Sequence, residues 1–130
     1  MNIVKILIAD SNAVNRTELI KLLKRLKEDN NCYLIFDEVC SGDECIKLIT
    51  EKGNPNLLIL EDFFYEKETG PNIVAKLRMK RSTRSIPIIA IGNGARLKQE
   101  FEAVEVDGFI NFLTFKPHSL WEMVKNVIQN

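Results

Sequence analysis

The sequence predicts an α/β fold: five parallel strands alternating with five helices, (βα)5, in one doubly wound sheet. Three observations carry that prediction. Five short apolar runs recur along the chain. Stripes of apolar residues at helical spacing separate them. Turn-forming clusters punctuate the alternation at Ser41-Gly42, Gly53-Asn54-Pro55, Gly70-Pro71, Gly92-Asn93-Gly94 and Asp107-Gly108. Strands joined through helices enter one sheet by right-handed crossovers, which places helices on both faces.

The elements follow in order. Ile3–Ala9 is a nearly continuous apolar run, as expected of a strand covered on both faces. Leu19, Leu22, Leu23 and Leu26 then mark a first helix. Tyr33–Cys40 contains Asp37-Glu38, a mixture that suits a sheet edge. Cys45 with Ile49 gives a short second helical stripe, and Leu57–Leu60 is a third strand with no polar alternation. Ile73 with Leu77 marks the third helix, and Ile86–Ile91 the fourth strand. Leu97, Phe101 and Val104 mark the fourth helix, and Phe109–Phe115 the fifth strand. Leu120, Met123, Val124, Val127 and Ile128 form the strongest stripe, on the last helix.

At 130 residues the chain has the size of one domain, residues 1–130, with no repeat or linker. Eighteen basic and eighteen acidic side chains cancel, so bulk charge offers no case for nucleic acid or an anionic membrane. The apolar runs are far too short to span a bilayer, and Met1-Asn2-Ile3-Val4-Lys5 does not read as a signal peptide. A cytoplasmic location is expected, and three cysteines, an odd number, fit reduced thiols there. Cys40 and Cys45 lack zinc-ligand spacing and are expected in the core.

Ligands of such sheets sit at the carboxyl ends of the strands. Those ends carry Asp10-Ser11, Glu61-Asp62, Gly92-Asn93 and Lys116-Pro117. Carboxylates from two strands opposite one lysine, set among Lys5–Asp10, Val14–Arg16, Ser41–Glu44, Pro55–Leu60, Thr83–Ala90 and Lys116–Leu120, resemble the CheY-like receiver domain of response regulators. The resemblance spans nearly the whole chain. It implies a flavodoxin-like strand order 2-1-3-4-5 and a role in two-component (phosphorelay) signalling. In that family, two acidic residues after the first strand and an acceptor aspartate hold Mg²⁺. A Thr or Ser after the fourth strand and a lysine before a proline bind the phosphoryl oxygens. Mg²⁺ needs an octahedron of oxygen ligands, and phosphoryl transfer depends on positioning and charge stabilisation.

This chain departs from the pattern. Asp10 matches the first acidic residue of the pocket, but Ser11 stands in place of the second. Gly92 occupies the switch position without a hydroxyl, with Asn93 beside it, whereas the pocket lysine Lys116 is intact. Counting from Pro55 places the acceptor position at Glu61, and counting back from Gly70 places it at Asp62. Glu61 is preferred, because strand register follows core burial while loops absorb insertions cheaply. The loop Phe63–Thr69 then carries one extra residue, and Phe64-Tyr65-Glu66-Lys67 replaces its usual Met-Pro. Glutamate is one methylene longer than aspartate, so its carboxylate would enter the phosphoryl pocket and could pair with Lys116. It carries one negative charge, against about 1.5 to 2 for a phosphate monoester. Any metal site, with Asp10 and Asp62 as ligands, would be weak. Leu113, with Phe112 before it, stands where the family often has a switching aromatic, and the run from Gly108 to Lys116 is one residue long.

The expected function is that of an atypical receiver, a pseudo-receiver acting through protein–protein interaction. Phosphorylation would be weak or absent, with no required cofactor and no enzymatic activity beyond weak self-dephosphorylation. The alternative is a working phosphoacceptor that uses Asp62 with Mg²⁺. A third reading is a flavodoxin-like small-molecule binder, which the loop Ser11–Asn15 disfavours because it lacks a hydroxyl-rich phosphate cradle. Expected partners are an effector domain or a histidine kinase, or a second copy through the fourth helix, fifth strand and fifth helix. Trp121, beside the last stripe, is a candidate partner-surface residue. Basic residues Lys76, Arg78, Lys80, Arg81 and Arg84, and acidic residues Glu100, Glu102, Glu105 and Asp107, are expected on solvated faces. His118 is expected exposed or half-packed.

Overall fold

The computed structural model describes residues 2–27, 31–63 and 67–129. Strands β1 (Asn2–Ala9), β2 (Cys32–Val39), β3 (Leu57–Leu60), β4 (Ile88–Gly92) and β5 (Gly108–Asn111) alternate with helices α1 (Ala13–Leu26), α2 (Gly42–Lys52), α3 (Gly70–Met79), α4 (Ala95–Ala103) and α5 (Pro117–Gln129). All strand pairs are parallel and the order is β2-β1-β3-β4-β5, as expected. The mixed run does form an edge strand.

Burial on both faces explains the unbroken apolar runs. Leu7, Ala9, Leu58, Leu60, Ile88 and Ala90 face α2, α3 and α4, meeting Cys45, Ile49, Ile73, Leu77 and Phe101. Ile6, Ile8, Leu57, Ile59, Ile89 and Ile91 face α1 and α5, meeting Leu23, Leu120, Val124 and Val127. Side-chain alternation along each strand sorts neighbours into two cores.

Three expectations change. The fifth strand stops at Asn111, because Asn111 turns the chain: its carbonyl accepts from Thr114 N at 3.2 Å and Phe115 N at 3.0 Å, and its Oδ1 from Leu113 N at 3.2 Å. That turn takes up the extra residue before Lys116 and leaves Leu113 78 % exposed. Trp121 is only 2 % exposed and lies in the α1/α5 core, so it is not a surface residue for a partner. The buried face of α5 is therefore wider than its apolar stripe. Cys45 is buried, but Cys40 follows the end of β2 and is exposed, its Sγ donating to Glu44 Oε1 at 2.8 Å.

Candidate functional site

Strand register brings the chemistry-bearing residues to one end of the sheet. Ala9 pairs with Leu60, and Glu61 N donates to Ala9 O at 3.1 Å, so Asp10 and Glu61 leave adjacent strands side by side. Pairing of β3 with β4, with Leu60 opposite Ala90, brings Gly92 to the same end on the next strand.

The loop after β1 is held by its own side chains. Asn12 caps α1, its Oδ1 accepting from Val14 N at 2.8 Å and Asn15 N at 3.1 Å. Asn12 N donates to Asp10 Oδ1 at 2.8 Å. Arg16 Nη1 donates to Asp10 O at 2.6 Å while its Nε reaches Glu38 Oε1 at 3.1 Å. Asp10 is buried, and burial raises its pKa from 3.8 to about 6 against the lowering effect of the Asn12 hydrogen bond, with repulsion from Glu61 adding to the rise. The roles of Asn12, Asn15 and Arg16 were not drawn from the sequence, although an Asn just before an apolar-periodic segment is a cap signal.

Glu61 closes this loop against β3. Its Oε1 accepts from Ser11 N at 2.7 Å and from Ser11 Oγ at 2.6 Å. The carboxylate therefore does not pair with Lys116, contrary to expectation. Ser11 follows the adjacent strand β1, whereas Lys116 follows β5, two strands from β3 and beyond the turn at Asn111. Lys116 is exposed and has no ion pair among the described residues. Asp62 is half-buried, and its carbonyl accepts from Gly70 N at 2.5 Å. Gly70 permits that approach: a Cβ there would lie 2.3 Å from Glu61 O and 2.9 Å from Asp62 Cα. Phe63 takes a φ of +49° and is 1 % exposed, its ring in the α2/α3/α4 core. The residues Phe64, Tyr65 and Glu66 lie outside the described residues.

At Gly92 a Cβ would meet Leu97 Cδ2 at 2.2 Å, so Leu97 fills the space a larger side chain would need. Asn93 is exposed beside it. His118 is exposed, 3.7 Å from Glu122 Oε1. Among the described residues, no group of three or more His, Cys, Asp or Glu is placed to hold a metal ion. No described helix is long and apolar enough to cross a membrane.

No protein-family model matches the sequence, and no curated protein matches it. Solved structures do. A candidate response regulator from Chloroflexus aurantiacus superposes with a TM-score of 0.86 at 18% identity, over 99% of this chain and 100% of that one. The receiver domain of a signal transduction histidine kinase from Syntrophus aciditrophicus gives 0.82 at 20% identity, over 97% of this chain and 90% of that one. The receiver domain of a sensor histidine kinase from Pseudomonas aeruginosa, which has a magnesium ion in its active-site cleft, gives 0.78 at 18% identity, over 99% and 100%. This chain has the fold of the CheY-like response-regulator receiver domains.

Proposed function

We propose that this chain is an atypical receiver of two-component signalling that works by binding a protein partner, with phosphorylation weak or absent. The observation that carries this reading is the double hydrogen bond from Ser11 to Glu61 Oε1, at 2.7 and 2.6 Å. Both donors fix the carboxylate against the β1–α1 loop through Oε1, an orientation set by the loop rather than by an incoming phosphoryl group, and its extra methylene supplies the reach. Glu61 stands in register with Asp10, which supports assigning it, rather than Asp62, to the acceptor position.

The donor set does not fit a resident Mg²⁺. Glu61 Oε1 is engaged by Ser11, Asp10 Oδ1 by Asn12 N, and the second acidic residue of the family pattern is absent. Burial also disfavours charge on Asp10. Mg²⁺ demands near-octahedral oxygen ligation and gives up its waters reluctantly, so two pre-engaged carboxylates are a poor cradle. Phe112 and Leu113, 45 % and 78 % exposed in the turn before Lys116, replace Trp121 as the apolar partner surface. A histidine kinase or an effector domain is the first partner to test, since two of the structural neighbours are receiver domains of histidine kinases.

Acetyl phosphate with Mg²⁺, followed by intact-mass analysis and Phos-tag electrophoresis, tests the reading. No adduct is expected. A stoichiometric, base-labile adduct mapped to Asp62 overturns it in favour of a working phosphoacceptor.

A further inference from the structure

We propose that the groove between α2 and α3 docks an acidic amphipathic helix of a protein partner. The groove lies on the sheet face opposite α1 and α5 and measures about 360 Å³. Ile46, Ile49 and Thr50 of α2 and Leu77 and Met79 of α3 line it. Its hydroxyl protons are already used: Thr50 Oγ1 donates to Ile46 O at 2.8 Å, and Thr83 Oγ1 to Leu77 O at 2.7 Å. Met79 is 83 % exposed, the most open large apolar side chain in the described chain. A flexible thioether at such a position adapts to the side chains of a partner. The surface thus asks for apolar contact.

Charge decides what kind of partner supplies it. Lys76 and Lys80 line the same groove, and exposed Arg81 follows directly after α3, whereas Arg84 lines a separate recess beside Glu105 and Asp107. Lys76 is held by Glu68 at 2.8 Å, but Lys80 and Arg81 have no ion pair among the described residues. A small carboxylate ligand would engage one of these two cations and leave the other unmatched. A helix with an apolar stripe flanked by Asp and Glu meets both requirements, because the groove between two side-by-side helices accepts the ridge of a third. Steering by the basic rim would make the encounter salt-dependent.

The test is a titration of the full ¹⁵N-labelled chain with a synthetic helical peptide bearing a Leu stripe flanked by Glu, alongside a twin with Lys in place of Glu. The expected result is saturable amide shifts centred on residues 46–50 and 76–83. Met79→Glu and Lys80→Glu should each weaken binding by about tenfold, a loss of about 1.4 kcal/mol. Both positions are exposed, so unchanged circular dichroism and melting should accompany the loss. Equal binding of the Lys twin overturns the proposal, as do shifts centred elsewhere or no saturable shift at millimolar peptide. Tighter occupancy by dodecanoate than by the peptide would assign the groove to a small amphiphile instead. A dimer in sedimentation that Met79→Glu dissolves would assign it to a second copy. Either outcome rejects the partner helix.

Discussion

Asp10 shows how one side chain couples the site to stability. Its carboxyl is buried, and its pKa lies near 6 rather than 3.8, first because of desolvation. A carboxylate whose pKa is raised on folding binds more protons folded than unfolded between these two values, so stability falls as pH rises through that window. The penalty is complete above about pH 6 and absent below about pH 4. Asp10→Asn keeps an acceptor for Asn12 N and removes the charge. It should stabilise the protein at pH 7 by about 1 to 2 kcal/mol, the shift being discounted for partial solvent screening. Urea unfolding of both proteins at pH 7 and at pH 4 checks this: the advantage should disappear at the lower pH. A constant advantage would mean that the gain comes from packing and not from charge.

At the scale of elements, two backbone positions set how helices meet the strands around the site. Gly70 opens α3 against the chain leaving β3, and the atoms in the way of a Cβ are the Glu61 carbonyl at 2.3 Å, Phe101 Cζ at 2.8 Å and the Asp62 Cα at 2.9 Å. Backbone cannot swing aside as a side-chain tip can. Gly70→Ala should therefore cost about 2 kcal/mol or more and broaden the Glu61 and Ser11 amide resonances. Unchanged stability would show that the β3–α3 junction gives way easily. Glu105 presents the opposite case. It has a φ of +68° just past α4, where Val106 N reaches back to Phe101 O at 3.4 Å. A left-handed residue ending a helix favours glycine. Glu105→Gly keeps the backbone carbonyl that accepts from Arg78 Nε at 3.0 Å, and should raise stability by about 0.5 to 1 kcal/mol. A fall in melting temperature would contradict that.

Across the whole molecule, Arg78 ties distant segments together. Its guanidinium donates to Glu105 O at 3.0 Å, Arg84 O at 2.8 Å, Ile86 O at 2.7 Å and Asp107 Oδ2 at 3.1 Å. Asp107 Oδ2 also accepts from Ile88 N at 2.8 Å, so the network joins α3, the entry to β4 and the turn before β5. The expectation of a solvated charge therefore fails for Arg78, while Asp107 is exposed as expected. The Arg78 side chain is 13 % exposed, and planar forked donors suit this work better than an ammonium. Arg78→Ala should lower unfolding free energy by about 3 kcal/mol, and Arg78→Lys should recover only part of it, as read by urea denaturation. A loss below about 0.5 kcal/mol would reduce the network to a set of exposed contacts.

The sequence by itself determined the sheet and its order of elements. Runs such as Leu57–Leu60 have no polar alternation, and a strand without a polar face must be covered on both sides. It also marked the strand ends at which Asp10, Glu61 and Gly92 gather, since register follows the buried runs. What it left open depended on contacts between segments far apart in the chain. Trp121 is buried in the core that α5 shares with the sheet and α1, near the start of β1 and of β2, which the α5 stripe alone does not reveal. The fifth strand ends early because Asn111 captures the following amides, a local competition that apolar content masks. Only the tertiary structure decided where the Glu61 carboxylate goes. The same side chain could have reached toward a lysine two strands away, but parallel pairing of β1 with β3 sets two Ser11 donors nearer to it.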